Sequence, residues 1–322
     1  MKQRSKNTEA FTDFTWGSRS AIQKAIRRSD GPLLEDTFKE LYEMDRDFLL
    51  RRISVFAGEE CWPITGAIMD MVDDARGYFR KGAGPKARER GRSLLLGACR
   101  KICMCDKAKD AGALASLVYG NYGLKVSELP NDLMKKQFRA MEYFYNICQQ
   151  GRDFEKKVWS TLYRKAEEIG TDYALSMIKA CRYRYFMKGM PHEQDKFLAA
   201  AILVVTEYHE EPDLNYDTSI HFRGTGKERI PIWCWDQHTR IGRTAMHRTA
   251  RDMGLNYDKL AGIWFTLVAA YINPMRKGEV WWPLRVRLVR ETISDERWRK
   301  VRETMVKQIK KRLREEGVGV GC

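Results

Sequence analysis

Apolar residues recur at three- and four-residue intervals along most of this chain, which is the spacing of one face of an α-helix. Alternating apolar and polar positions are scarce, and Trp281–Val289 is the best candidate for a strand. The pattern therefore predicts an all-α, multi-helix globular fold. Helices are predicted over Leu33–Phe56, Thr65–Tyr78, Leu94–Cys103, Leu133–Cys148, Phe154–Ile169, Tyr173–Met187, Glu193–Tyr208 and Tyr257–Tyr271.

A break at Leu129–Pro130 lies between two of these helical segments. We therefore divide the chain into an N-terminal helical part over residues 1–130 and a second helical part over residues 131–322. The second part contains the segment around Asp236 and a basic C-terminal helix. The two parts are expected to form one compact unit.

The last predicted helix follows Ser294, a favourable N-cap, with Asp295 and Glu296 in the first turn. A narrow apolar stripe is expected to dock this helix on the body of the protein, and most other positions are Lys or Arg. A solvated amphipathic helix and a helix that binds the DNA backbone remain equal interpretations. The stripe is Trp298, Val301, Met305, Ile309 and Leu313, and the DNA-binding candidates are Lys310, Lys311 and Arg312.

The charge balance indicates a polyanionic partner. Lys and Arg number 58 against 43 Asp and Glu, a net charge of +15, and a basic surface gains affinity by releasing counterions from phosphates. A ribosome-like or membrane-surface partner would suit the same charge balance, and we favour nucleic acid. The longest apolar run, Phe197–Val205, is far shorter than the roughly 18 residues of a membrane span. With no signal sequence at the N-terminus, a cytoplasmic protein is expected.

The eight cysteines are scattered, as is usual for reduced thiols. Cys99 and Cys103 would share one face of a helix, with Cys105 nearby, and a face of buried thiols is favoured over a metal site, which usually needs four ligands. The chain has no glycine-rich nucleotide loop, GxSxG or HExxH motif. We expect neither a metal nor a cofactor.

The segment "PIWCWDQHTRIGRTAMHRTARDMGL" (Pro231–Leu255) holds the candidate chemistry. Asp236 follows two tryptophans and precedes a basic helix pattern. Aromatic neighbours would raise the pKa of this carboxylate and make it a usable base, whereas a helix N-terminus would lower the pKa. An alternative without catalysis is that Asp236 or Thr239 caps the helix from Arg240.

An enzyme that acts on a base in duplex DNA must flip the base out and hold it by stacking and phosphate contacts. Asp236, His238 and Arg240 are the candidate catalytic residues, with Asp236 as general base and the other two at a leaving group. The candidate DNA-binding residues of this segment are Trp233 and Trp235 for stacking, and Arg243, Arg248 and Arg251 for phosphates.

Two N-terminal stretches, "SAIQKAIRRSD" (Ser20–Asp30) and "FLLRRISVFAGEECW" (Phe48–Trp62), resemble the C-terminal helical domain of RarA/MgsA-type AAA+ replication-repair proteins. The resemblance covers about a fifth of the chain and implies a helical replication or repair context, with Arg27, Arg51 and Arg52 near nucleic acid or in buried ion pairs. The matching residues are Ser20, Ala21, Lys24, Ile26, Arg27, Ser29, Asp30, Arg51, Arg52, Glu59 and Glu60.

The Asp236 segment resembles the part of helix-hairpin-helix DNA glycosylases in which an Asp at a helix start faces a flipped base. Asp236, His238, Arg240, Arg248 and the pair Gly254-Leu255 follow in a similar order. This resemblance implies a DNA-glycosylase-like helical architecture, here without a recognisable helix-hairpin-helix glycine loop.

The chain is also similar to the glycosylase-like enzymes of phages that hypermodify thymine, the α-glutamyl/putrescinyl-thymine pyrophosphorylases or amino acid:DNA transferases. That similarity implies transfer of an amino acid or amine to a phosphorylated 5-hydroxymethyluracil in double-stranded DNA, a modification of a viral genome that evades host restriction. The same similarity implies a location in the host cell cytoplasm.

The alternative interpretation is a non-enzymatic, RarA-like module that binds DNA or a replisome partner and forms homo-oligomers through its N-terminal half. An RNA-binding protein is a third possibility, since basic charge and aromatic residues also serve single strands.

Overall fold

The computed structural model describes residues 13–120, 122–187, 194–207, 231–270 and 278–315. Within these ranges the regular elements are helices and none is a β-strand, which confirms the predicted all-α, multi-helix fold. The α-helices are α1 (Asp13–Arg28), α2 (Gly31–Glu60), α3 (Thr65–Gly77), α4 (Pro85–Met104), α5 (Asp110–Tyr119), α6 (Asp132–Cys148), α7 (Arg152–Ile169), α8 (Asp172–Met187), α9 (Gln194–Glu207), α10 (Arg240–Asp252), α11 (Tyr257–Trp264), α12 (Trp281–Glu291) and α13 (Asp295–Glu315).

The strand candidate Trp281–Val289 was wrong, because these residues lie in helix α12. The carboxylate of Asp110 accepts hydrogen bonds from the backbone N–H groups of Val280, Trp281 and Trp282, at 2.8, 2.9 and 2.9 Å. These are donors that the start of a helix leaves without an intrahelical partner. The cap comes from a residue about 170 positions earlier in the chain, so the local pattern of β-branched and aromatic residues could not reveal it.

The chain forms two compact units, and the division between them does not fall at residue 130. The first unit comprises Met1–Phe48, Ser219–Ile272 and Val286–Cys322, and the second comprises Leu49–Thr218 and Asn273–Arg285. The first unit therefore unites the segment around Lys24 with the segment around Asp236.

The core of the first unit is built by α10, α11 and α13. From α13 it receives the predicted apolar stripe, of which Val301, Met305, Ile309 and Leu313 are buried, and Trp298 packs partly buried against them. Ser294 accepts a hydrogen bond from the backbone N–H of Arg297 at 3.3 Å, which confirms the predicted N-cap of this helix.

The second unit is organised around α9, which contacts α5, α6, α7 and α8. Residues 197–204 of α9 are all buried, as expected for a helix that is apolar on every side. Despite this apolar run, no helix in the described ranges is long and apolar enough to cross a membrane.

Helix α4 carries the predicted thiol face. Cys99 and Cys103 are both fully buried, which confirms that they behave as small core residues rather than as surface groups. The helix begins at Pro85, nine residues before its predicted start, because a proline is favourable at the first position of a helix.

Candidate active site

A buried ion pair joins the two sequence segments that carry the family resemblances. In the first unit, the ammonium Nζ of Lys24 on α1 lies 2.7 Å from Oδ2 of Asp236, and the two side chains are 5% and 1% exposed. The same ammonium donates to the carbonyl of Cys234 at 3.3 Å and to the hydroxyl of Ser20. The Ser20 hydroxyl in turn donates to the Cys234 carbonyl at 2.7 Å. Three acceptors thus compensate the cost of burying the Lys24 charge.

The two oxygens of the Asp236 carboxylate have separate partners. Oδ2 faces Lys24, whereas Oδ1 accepts a hydrogen bond from the backbone N–H of His238 at 3.0 Å and lies 3.2 Å from the ring nitrogen Nδ1 of the same residue. The buried carboxylate therefore links a buried cation to the His238 imidazole.

Burial of the Asp236 carboxylate would raise its pKa, but the Lys24 ammonium and the hydrogen-bonded His238 outweigh burial and hold that pKa well below its ordinary value of 3.8. Asp236 is therefore ionised at neutral pH and can only accept hydrogen bonds. The sequence left the direction of this pKa shift open, because it did not reveal the lysine that faces the Asp236 carboxylate.

An ionised Asp236 fixes the proton of His238 on Nδ1, because a carboxylate has no proton to donate to the ring. The His238 side chain is 63% exposed, so the ring edge that does not face Asp236 is accessible at the surface. The edge of the ring packs against Phe265, with the ring centroids 5.8 Å apart. Asp236 thus holds His238 in one tautomer and orientation, as buried carboxylates do for reactive histidines.

Thr239, and not Asp236, is the N-cap of helix α10. Its hydroxyl accepts a hydrogen bond from the backbone N–H of Gly242 at 3.1 Å and donates to the Asp236 carbonyl at 2.9 Å. A Cβ atom at Gly242 would lie only 2.2 Å from that carbonyl oxygen. Glycine at this position therefore allows the first turn of α10 to pack directly on the Asp236 backbone.

The exposed face of α10 carries a row of basic side chains, which we call the α10 ridge and define as Arg240, Arg243, His247 and Arg251. All four are exposed and are spaced three or four residues apart, so they follow one line along the helix. The opposite face, with Ile241, Ala245 and Met246, is buried in the core. His238 lies two residues before the ridge begins.

The other predicted DNA-binding residues are placed differently. Arg248 is half-buried and lies 3.8 Å from the carboxylate of Glu315. Arg312 also pairs with Glu315, at 2.6 Å. On α13, Lys311 is exposed and Lys310 is half-buried.

Neither tryptophan offers the open stacking surface that the sequence predicted. Trp235 is fully buried in the core of the first unit, so it cannot stack on a base in this conformation. Trp233 is half-buried, and the guanidinium carbon of Arg28 lies 4.0 Å from its ring centroid. The aromatic residues of this segment therefore stabilise the fold around Asp236.

Arg27 and Arg28 bind the end of helix α11, which continues as one π-helical turn over Phe265–Ala269. Arg27 is buried and donates to the carbonyl of Ala269 at 2.6 Å, and Arg28 donates to the carbonyl of Val268 at 2.5 Å. These carbonyls are the acceptors that a helix end leaves without intrahelical partners. Arg27, which the RarA resemblance placed near nucleic acid or in an ion pair, instead caps a helix.

Four residues of the RarA-like match, Arg51, Arg52, Glu59 and Glu60, lie in the second unit. The guanidinium of Arg52 lies 4.0 Å from Glu59, and the Lys109 ammonium lies 2.7 Å from the fully buried Glu60 carboxylate. Arg51 is exposed. The contact of Arg52 with Glu59 agrees with the ion-pair interpretation of that arginine, whereas Lys109, the partner of Glu60, lies outside the match.

No protein-family model, no curated protein and no solved structure matches this chain. The candidate site is therefore interpreted from its own geometry.

Sequence reasoning identified Asp236 and His238 but missed the partner role of Lys24. A signal was present, since Lys24 lies among Ala21, Ile22, Ala25 and Ile26, which are all fully buried. A lysine within such an apolar stretch needs an acid to face it, but only the tertiary fold reveals that this acid is Asp236.

We expect Lys24→Met to lower the free energy of unfolding by about 3–5 kcal/mol, because it leaves the Asp236 charge buried without its cation. The double variant Lys24→Met/Asp236→Leu should recover most of this loss, since it removes both charges. Urea unfolding of the wild type, both single variants and the double variant gives the coupling. Additive losses would contradict the ion pair.

The ion pair should also make stability depend on pH. Because the pKa of Asp236 is lower in the folded chain than its ordinary value of 3.8, the stabilisation is fully present above that value and is lost as the pH falls below it toward the folded-state pKa. Unfolding between pH 6 and pH 2 should show a steeper loss for the wild type than for Lys24→Met/Asp236→Leu. Parallel curves would argue against the lowered pKa.

Gly242→Ala should destabilise the protein by at least about 2 kcal/mol, because the new methyl group would collide with the Asp236 carbonyl. Gly262→Ala is the matched control, since a Cβ there meets no atom within 4 Å, and it should stabilise α11 by about 0.5–1 kcal/mol. Thermal unfolding measures both. Equal effects of the two variants would show that the close approach at Gly242 is absent.

Proposed function

We propose that this chain is a DNA base-modifying enzyme in which His238 transfers a proton and the α10 ridge binds the phosphate backbone. One observation carries the proposal: an exposed imidazole, oriented by a buried carboxylate, lies immediately before an exposed row of basic side chains. Proton transfer needs the first feature, and binding of a polyanion needs the second.

The α10 ridge supports binding to a nucleic-acid strand. From Arg240 to Arg251 it spans twelve residues, whose eleven steps of about 1.5 Å cover roughly 16 Å. This length corresponds to about five nucleotide steps at 3.4 Å per step of one strand. Helix α13 adds the exposed Lys311, and the chain as a whole carries a net charge of +15. We propose double-stranded DNA as the partner.

The proposed reaction is amine transfer to the pyrimidine of a phosphorylated 5-hydroxymethyluracil. Nε2 of His238 accepts the proton that the ammonium of an amino acid must lose, and the freed nitrogen attacks the methylene carbon attached to C5. The bond between that carbon and the phosphate oxygen breaks, and the leaving phosphate takes the electron pair. Arg240 neutralises the charge that develops on the leaving group.

The roles of the candidate residues change in this proposal. Asp236 is a positioning residue that fixes the His238 tautomer, because its own carboxylate is buried and its pKa is lowered. His238 replaces it as the general base. The amine donor, the viral DNA substrate and the cytoplasmic location rest on the resemblance to the phage thymine-modifying enzymes.

A second candidate function is a non-enzymatic module that binds DNA or a replisome partner. The burial of Asp236 favours this function. A carboxylate that pairs with Lys24 and accepts a hydrogen bond from the His238 backbone is also expected where Asp236 only stabilises the fold. In that case the α10 ridge acts alone, and His238 has no chemical role.

Nucleoside mass spectrometry tests the chemistry. The protein is incubated with DNA that carries 5-hydroxymethyluracil, unmodified or phosphorylated, together with a mixture of amino acids, and the DNA is digested. We expect an amino-acid adduct from the wild type, on the phosphorylated DNA alone. His238→Ala should lower the rate by about 10²–10⁴-fold, while the backbone N–H of residue 238 and Lys24 keep their contacts with Asp236.

Lys157→Ala, which removes an exposed cation from α7 in the second unit, is the control and should keep full activity. If the wild type forms no adduct but retains salt-sensitive DNA binding, the enzymatic proposal is wrong and the binding module is favoured.

The salt dependence of binding tests the role of the α10 ridge. For duplex DNA, Arg243→Ala should reduce the slope of log K against log salt by about 0.9, the value for one lost phosphate contact. Lys157→Ala changes the net charge equally and should leave the slope unaltered. Equal slopes for both variants and the wild type, measured by fluorescence anisotropy, would show that the ridge does not contact phosphates.

A further inference from the structure

A stacked pair of aromatic rings lies in the middle of the α10 ridge. The rings of His247 on α10 and Tyr257 at the start of α11 are nearly parallel, at an interplanar angle of 13°, with centroids 4.0 Å apart. His247 is exposed, and Arg243 and Arg251 lie one helical turn before and after it. An aromatic ring thus stands between two exposed guanidinium groups.

Tyr257 fixes this pair to the protein. It is half-buried and packs against the core of the first unit. Burial raises the pKa of the Tyr257 phenol, although the nearby Arg243 opposes this shift, so the ring remains neutral at physiological pH. The Tyr257 ring covers one face of the His247 imidazole and holds it in place, which reduces the entropy that His247 would lose on binding a ligand.

We infer that His247, Tyr257, Arg243 and Arg251 form a binding subsite for an unpaired nucleotide. The nucleobase stacks on the face of His247 that Tyr257 does not cover, and the two arginines bind the phosphates on either side of it. Any nucleobase has a flat π-face, so such a subsite recognises an unpaired strand rather than a sequence. This inference rests on the proposed binding of nucleic acid by the α10 ridge.

The subsite takes over the stacking role that the sequence assigned to the tryptophans. Trp235 is fully buried and Arg28 lies over the ring of Trp233, whereas His247 is exposed. His247 lies seven residues after Arg240, or roughly 10 Å along α10, and His238 lies two residues before Arg240. The stacked nucleotide is therefore not the one that reacts at His238 but a neighbour on the same strand.

Fluorescence of 2-aminopurine, an adenine analogue that is quenched on stacking, tests this inference. The probe is placed in a matched DNA duplex, in a single-nucleotide bulge of the same duplex, in a DNA single strand and in the corresponding RNA strand. We expect the wild type to bind the bulge and the DNA strand more tightly than the matched duplex and to quench the unpaired probe.

His247→Ala should lower affinity for the bulge and the single strand by about 5- to 100-fold, the range for loss of one stacked base, and should remove the quenching. Affinity for the matched duplex should fall less, because the three arginines of the α10 ridge remain in the variant. His247→Phe, which restores a ring without the imidazole nitrogens, should keep both the preference and the quenching. Arg243→Ala should weaken binding of all DNA probes. Equal melting temperatures for the wild type and both His247 variants confirm that the exposed position leaves the fold intact.

The results separate this inference from the proposed function. If His247→Ala binds and quenches every probe like the wild type while Arg243→Ala weakens binding, the subsite is wrong and DNA binding by the ridge stands. If the wild type binds no probe, both fail. Tighter binding of the RNA strand, with quenching that depends on His247, would support the subsite and overturn DNA as the partner.

Discussion

The ion pair between Lys24 and Asp236 is the interaction on which the candidate site depends. It connects α1 to the turn before α10, two segments that are 212 residues apart in the sequence, and it is almost completely withdrawn from water. A buried charge is costly unless it is paired and hydrogen-bonded. The three acceptors around the Lys24 ammonium and the bonds from His238 to Asp236 meet that requirement. Removing either Lys24 or Asp236 would therefore leave the charge of the other buried without its partner and would destabilise the candidate site.

The ion pair between Lys24 and Asp236 also determines how the exposed His238 ring is held. Because Lys24 keeps Asp236 ionised, the carboxylate can hold the Nδ1 proton of His238 and leave Nε2 toward solvent. The Thr239 cap and the close packing at Gly242 then start α10 directly after this imidazole. The basic side chains of the α10 ridge therefore follow His238 along the axis of this helix. The proposed general base and the proposed phosphate-binding face are thereby held next to each other, as a functional site requires.

Local pattern was sufficient to predict much of this molecule. Periodicity predicted the helical fold and the buried face of α13. Charge and turn chemistry identified the segment from Asp236 to Arg251 as the candidate site, and they named Thr239 as one of two alternative N-caps of its helix. The local pattern did not predict the interactions that depend on the tertiary structure. The partnership of Lys24 and Asp236 and the capping of α12 by Asp110 depend on residues far apart in sequence. The burial of Trp235 and the stacking of His247 on Tyr257 depend on how neighbouring helices pack, which the order of residues does not specify.

The state of the His238 ring tests the central claim most directly. Nitrogen-15 NMR distinguishes the two neutral tautomers of an imidazole, and the His238→Gln spectrum assigns the signal. We predict that the wild type at neutral pH carries the proton of neutral His238 on Nδ1, and that Asp236→Asn and Lys24→Met shift it toward the Nε2–H form that predominates in water. A wild-type His238 that already behaves as a free imidazole, unchanged in both variants, would contradict the account.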